Sequence, residues 1–521
     1  MSLLYLLLIF VVWLGGPSLM VEPRVSAGVS AGVFAGGYAA LVLGVAAWSR
    51  ALARGMERGR LHRSVERFNR MLSLARLAVP VWLAVAVFTP LGYGRLVLEG
   101  MSSWAVVRFS HGGQTMAVGL ALPAFIAGTL PSLLTWVGLW WAQYPADRAM
   151  REQSVMDQLA LSLPVRSAPA LGQYLAINVR LQLLFALVPL LLMLLLRDGA
   201  VMAMRVSGLY PWRASAVEDW LLLPAAAPVL LLGPEILRRI WHTEPLPPSP
   251  LRRRLERMCR RYRLGYRDIL LWHTQFMTGN AAVMGLVGPL RYILLSDLLL
   301  ETLTDEQIEA VFAHEMGHVV HRHMAWYALF FILVGLAAAA LDAAAALVVK
   351  PATLSGLAGL ADMDAAVLAR TVREGVVVLS MGAMAVGGFG FIGRLFERQA
   401  DVFAARTMGG SGNAFDEGDA PEAADGAAGR DSARVTWGHV GQEGAMAFIS
   451  ALNRVAAINN IPMRGRSWPH GSIASRMEYL MHLAADPEAT EEFDRGMRRL
   501  YWGLLAATVV CAAAAIALPS G

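Results

Sequence analysis

The sequence predicts a mainly α, polytopic membrane protein: a bundle of about eight or nine spanning helices that carries a water-exposed domain with a small β-sheet. Three observations predict it. The 521 residues are 56% hydrophobic and only 16% charged, against about a quarter charged in soluble domains. The apolar residues gather into charge-poor runs of spanning length. One segment, 244–324, interrupts these runs with strand-like and helical patterns of an ordinary globular kind.

The apolar runs fall near 2–15, 31–48, 75–97, 115–142, 175–196, 217–236, 325–347, 373–393 and 499–519. The first is short and lacks a basic start. It reads as a signal-anchor helix, with a signal peptide ending near Val25-Ser26-Ala27 as the alternative. Pro80, Pro90, Pro123, Pro131, Pro189 and Pro228 inside these runs are tolerable where neighbouring helices satisfy the freed backbone groups. Residues 1–243 are thus expected to form an N-terminal transmembrane bundle.

Arginine gives the orientation. Lys350 is the single lysine, a bias that suggests a GC-rich, bacterial genome and hence the inner membrane. Arginines crowd 50–76 and again 238–267, and the loop 143–174 adds Arg148, Arg151 and Arg166. By the positive-inside rule these segments are cytoplasmic, and an even number of expected spans separates the first two. The basic charge therefore reads as topology and not as a nucleic-acid surface. Cys259 and Cys511 provide neither a disulfide framework nor a thiolate metal cluster.

Residues 244–324 form the expected cytoplasmic segment. Pro245, Pro247, Pro248 and Pro250 stiffen its entry, and Leu251–Tyr262 reads as a basic helix. Strand-like runs follow at Ala281–Leu286 and Tyr292–Ser296, with a Gly288-Pro289 turn between them. Thr304, with Gln307 three residues on, has the form of a capping box. The helix it starts would run into the span at 325.

That helix contains His314-Glu315-Met316-Gly317-His318. Residues four apart share a helix face, so both imidazoles can reach one metal ion, and Glu315 stands beside them as a base for a water molecule. A catalytic zinc takes a third protein ligand. The pattern with a further His at 324 is excluded, because Met324 stands there. His321 is a conceivable ligand, although a helix does not readily aim three successive turns at one ion.

Glu397 is the better candidate. The hairpin of spans 325–393 returns the chain to the same side of the membrane and brings Glu397 to the level of His318. Asp401, one turn on, can then accept a ligand histidine's free ring N–H. A plain charged helix leaving the bilayer, with Arg394 and Arg398 at the headgroups, is the alternative reading. After it come a Gly-, Ala- and acid-rich stretch, 409–435, read as a mobile loop, the remainder of 394–480, and a C-terminal helix with the last span in 481–521.

His314-Glu315-x-x-His318, Arg394-x-x-Glu397-x-x-Ala400-Asp401 and Gly279-Asn280-Ala281 together resemble the integral-membrane gluzincin peptidases, the CAAX prenyl endopeptidase and HtpX-like proteases. The resemblance covers residues 251–480. It implies one zinc held by His314, His318 and Glu397, with Glu315 as catalytic base and Asp401 and Arg394 supporting the ligands. It also implies that His470 and Arg476, in Pro469-His470-Gly471-Ser472-Ile473-Ala474-Ser475-Arg476, line the cleft and help bind substrate or the oxyanion, one or the other stabilising the developing charge. Many members have His-Pro-Pro where this chain has His470-Gly471-Ser472.

The implied activity is hydrolysis of membrane-associated or misfolded proteins and peptides, with the substrate extended along Asn280 and Ala281. Prenyl-protein processing is an alternative. A metal-binding transporter or scaffold is a third reading, with Arg180, Asp342 and Glu374 as its pathway markers.

Overall fold

The computed structural model describes residue 9 and residues 20–57, 61–101, 106–111, 114–153, 168–207, 221–360, 364–409, 438–459, 461–465 and 470–517. The expected span 2–15 and the expected loop 409–435 lie almost wholly outside them. Two compact units result, Met1–His242 and Thr243–Gly521.

In the first unit, α1 (Ala27–Glu57), α2 (Leu61–Phe88) and the short α3 (Tyr93–Met101) precede the antiparallel ribbon β1 (Val106–His111) and β2 (Gln114–Gly119). Then come α4 (Ala121–Gln153) and α5 (Leu171–Asn178). The latter passes through a π-helical turn, Val179–Leu184, into α6 (Phe185–Val206), and α7 (Leu222–Ile240) follows. Trp136, Trp140, Phe34 and Phe125 are among its large buried side chains. Some buried polar groups pair across helices, as where Tyr38 Oη lies 2.7 Å from Ser132 Oγ and donates to Val79 O at 3.1 Å. Asp198 accepts the Ala121 and Leu122 amides at 3.0 and 2.8 Å, satisfying the first turn of α4.

The second unit opens with β3 (Thr243–Pro245), α8 (Pro250–Arg261) and β4 (Asp268–Trp272). It continues with β5 (Ala281–Met284), β6 (Tyr292–Ser296), α9 (Asp297–Thr302) and α10 (Asp305–Val320). The sheet order is β3-β4-β6-β5, with β6 parallel to β4 and antiparallel to β5. Every residue of β6 is buried, which explains its unbroken apolar run, whereas β5 is an edge. Ser249 caps α8 by accepting the Arg252 amide, and Pro250 occupies the first helical position. Thr304 and Gln307 close a capping box on α10, as the sequence indicates.

Then come α11 (His323–Val348), α12 (Pro351–Leu360) and the 45-residue α13 (Ala365–Gly409). At 1.5 Å per residue α13 is about 67 Å long, roughly twice a bilayer's hydrocarbon core. One end therefore continues past the membrane-spanning portion and packs on α10. Finally, α14 (Gln442–Ile458) and α15 (Ile473–Ala485) cover this end, and α16 (Pro487–Ala517) packs along α11.

Seven helices among the described residues are long and apolar enough to cross a membrane: 27–56, 64–88, 121–152, 171–206, 323–348, 365–409 and 487–517. The protein is a mostly helical integral membrane protein with a small mixed sheet. Several boundaries differ from expectation. The run 75–97 is cut at a turn where Gly92 has φ +66°, so its helix ends at Phe88. The run at 115 begins as β2 and not as helix. Helix α7 is not among the seven; Glu235, Arg238 and Arg239 charge its last turns. The helix from Asp305 does not run into the next span: it stops at Val320, and Arg322, with φ 54° and ψ 37°, turns the chain before α11.

Candidate metal centre

His314 and His318 lie one turn apart on α10 and turn their rings to a common point, Nε2 to Nε2 at 3.4 Å. From α13, Glu397 Oε2 lies 3.6 Å from His314 Nε2 and Oε1 lies 3.7 Å from His318 Nε2. Two features let the helices come this close. Gly317 sits against Ala400 and Phe403 without a side chain of its own. The His314 ring stacks on Phe448 of α14 at 5.5 Å, fixing its plane.

These three donors fit a zinc ion. A tetrahedral zinc with bonds of about 2.0–2.1 Å has ligand-to-ligand edges of about 3.3–3.4 Å. The Nε2–Nε2 spacing of 3.4 Å matches this edge, and Glu397 faces the two rings with different oxygens, Oε2 at 3.6 Å and Oε1 at 3.7 Å, one donor atom from each residue lying within 4.8 Å of the others. Two imidazoles and one carboxylate are also the donor set of catalytic zinc sites.

Charged groups stand behind the donors. Asp401 Oδ1 is 3.0 Å from His314 Nδ1, an ion-pair contact without an aligned hydrogen bond. Arg476 donates to both Asp401 oxygens, Nε at 2.8 Å and Nη2 at 2.5 Å, and its Nη2 is 3.9 Å from Glu397. His470, half-exposed, brings Nδ1 to 2.8 Å from Glu397 Oε1. His323, at the start of α11, brings Nδ1 to 2.9 Å from His318 Nδ1.

Without a metal the two histidines diverge in acidity. Burial disfavours the cation of His314, but Asp401 and Glu397 outweigh it and push its pKa to about 9. Burial and the neighbouring His314 cation push His318 down to about 4. Burial raises Glu315 to about 7, opposed by the charge of His314. A carboxylate near 7 accepts protons at neutral pH far more readily than one near 4.

Glu315 faces the edge strand, where the Val283 backbone meets its carboxylate. Ala281 is buried in that strand, while Asn280 is exposed just before it. The Asn280 amide donates to Ser296 Oγ and its carbonyl accepts the Ser296 amide. Asn459, after α14, holds the strand's entry: Oδ1 accepts the Gly279 amide at 2.9 Å and Nδ2 donates to Gly279 O at 2.8 Å. Gly279 packs tightly there, since a Cβ would come within 2.1 Å of Ile458 Cδ1 and the isoleucine side chain would have to move.

The structure thus brings His314, Glu315, His318, Glu397, Asp401, His470 and Arg476 into one cluster, with Asn280 and Ala281 at its strand edge. Arg394 is exposed, on a part of α13 where Glu397 and Asp401 are buried. His321 stays outside the three-donor group; its ring stacks on His323 at 5.8 Å and meets Phe403 edge-on. Sequence reasoning missed His323, Gln399, Tyr501 and Asn459. His323 was visible beside the motif, but the turn at Arg322 that returns it to His318 has no signal in residue type.

Residues 245–417 match the family model described as Peptidase family M48. The crystal structure of S. mikatae Ste24p is similar to this chain at a TM-score of 0.45 and 14% identity, over 88% of this chain and 100% of that one. No curated protein matches this chain.

Proposed function

With an M48 peptidase domain across residues 245–417 as the premise, we propose that this membrane protein is a zinc metalloendopeptidase cleaving membrane-associated or misfolded proteins and peptides. The single observation that carries the proposal is the convergence of His314 Nε2, His318 Nε2 and the Glu397 carboxylate, close enough together to hold one metal ion. A zinc ion held there supplies a Lewis acid that polarises a scissile carbonyl and acidifies a water molecule.

The chain's own residues do the rest. Glu315 takes the proton from the attacking water and passes it to the leaving amine. His470, at the mouth of the site, swings from Glu397 to donate to the developing oxyanion. Arg476 is tied to Asp401, so it orients Asp401 and through it His314. An extended peptide adds to the outer edge of β5, placing its carbonyl before Glu315. The arginines of 238–267, with no spanning helix between them and the site, favour a site facing the cytoplasm of a bacterial cell.

The test is zinc content in detergent-purified protein, wild type beside Glu397→Ala. One zinc per wild-type chain, lost in the variant, supports the site. A wild type that takes up no zinc after reconstitution rejects it. Cleavage of an unfolded membrane-protein segment against a prenylated C-terminal peptide then separates the two substrate classes.

A further inference from the structure

We propose that Tyr501, Gln399 and His323 form a buried relay that fixes the tautomer of His318, making them positioning residues for the metal site. The inference rests on the zinc reading of that site.

The proton positions follow from one acceptor. Tyr501 Oη donates to Gln399 Oε1 at 2.5 Å, and His323 Nε2 lies 2.9 Å from the same oxygen. An amide oxygen only accepts, so His323 Nε2 carries a hydrogen. A neutral imidazole has a single N–H, so His323 Nδ1 is an acceptor. Its neighbour at 2.9 Å is His318 Nδ1, which must therefore carry the hydrogen. The lone pair of His318 is left on Nε2, the atom facing His314 Nε2 and Glu397. Reversing the amide of Gln399 would reverse every step and put a hydrogen where the metal must bind.

The surroundings hold the His323 ring in place. It is 1% exposed and lies flat on Phe396, centroids 4.2 Å apart and planes 3° apart. The backbone is shaped for the contact as well. In an unbroken helix residue 323 would be about 140° around from 318, on another face. Arg322 instead adopts the left-handed conformation, with φ 54° and ψ 37°. An arginine held there costs about 1–2 kcal/mol, and the turn it makes returns His323 beneath His318. Gln399 shares α13 with Glu397, and Tyr501 belongs to α16, so the relay joins the metal donors to the last long helix.

The test uses Gln399→Leu, which removes the acceptor, beside the wild type. Zinc dissociation constants come from chelator competition, and the His318 tautomer comes from ¹⁵N shifts of metal-free, histidine-labelled protein. The relay predicts an Nδ1–H tautomer in the wild type. It predicts zinc binding weaker by about 10–100-fold in Gln399→Leu. An Nε2–H tautomer in metal-free wild type overturns the relay, as does unchanged zinc affinity in folded Gln399→Leu. A wild type that binds no zinc instead rejects the zinc site, and the tautomer still decides the relay.

Discussion

Gly317 and Ala400 meet so closely that a Cβ on Gly317 would lie 3.0 Å from the Ala400 Cα. This contact sets the distance between the helix carrying both histidines and the helix carrying Glu397. A methyl group there separates the donors without touching any of them.

Gly317→Ala should therefore weaken zinc binding while the thermal midpoint moves little. Overpacking costs about 1–3 kcal/mol, and the gain in helix propensity returns about 1 kcal/mol. Gly317→Val, with no such compensation, should lower both. Chelator competition alongside thermal unfolding checks this; Gly317→Ala with wild-type zinc affinity would refute the spacing argument.

Glu315→Gln keeps the shape of the base but not its charge, and cannot accept a proton. It should retain zinc and lose about 10²–10⁴-fold in kcat. Retained peptidase activity in that variant would remove Glu315 from the mechanism.

Zinc uptake should release a proton. At pH 8 the metal-free His314 is mostly cationic, its pKa being about 9, whereas Glu315, near 7, is already ionised. His314 must be neutral to bind a metal, so zinc affinity should rise with pH up to about 9 and level off above it. Calorimetry in buffers of different ionisation enthalpy measures the release. A value near zero at pH 8 would contradict a cationic His314.

Asn459→Ala should act on substrate binding rather than on the metal. Its amide pairs with both the N–H and the C=O of Gly279, as a neighbouring strand would. Losing this clamp leaves a strand entry short of partners, a loss of about 1–3 kcal/mol. The expected result is a raised KM with zinc content unchanged, and an unaltered KM would count against a role for β5 in substrate binding.

Arg476→Ala should destabilise the second unit by about 3–5 kcal/mol, the usual result of stripping one partner from a buried ion pair. Arg476 and Asp401 have side chains only 11% and 2% exposed. Arg476→Lys should recover part of this, since a lysine cannot reproduce the two-pronged contact. Thermal unfolding of the three proteins is the check.

The sequence by itself determined what local patterns encode. Apolar runs free of charge specify spanning helices, because an unsatisfied backbone is too costly in lipid for any other structure. The four-residue spacing of His314 and His318 puts them on one helix face, and Thr304 with Gln307 marks where that helix begins. Glu397 and Asp401 were legible at long range because a helical hairpin returns the chain to its own level. The tertiary structure alone decided the rest. The break at Arg322, the approach of Gly317 to Ala400, and the meeting of His323, Gln399 and Tyr501 depend on contacts between helices distant in sequence. Such contacts are fixed by packing in three dimensions, which the identity and spacing of residues along one helix do not record.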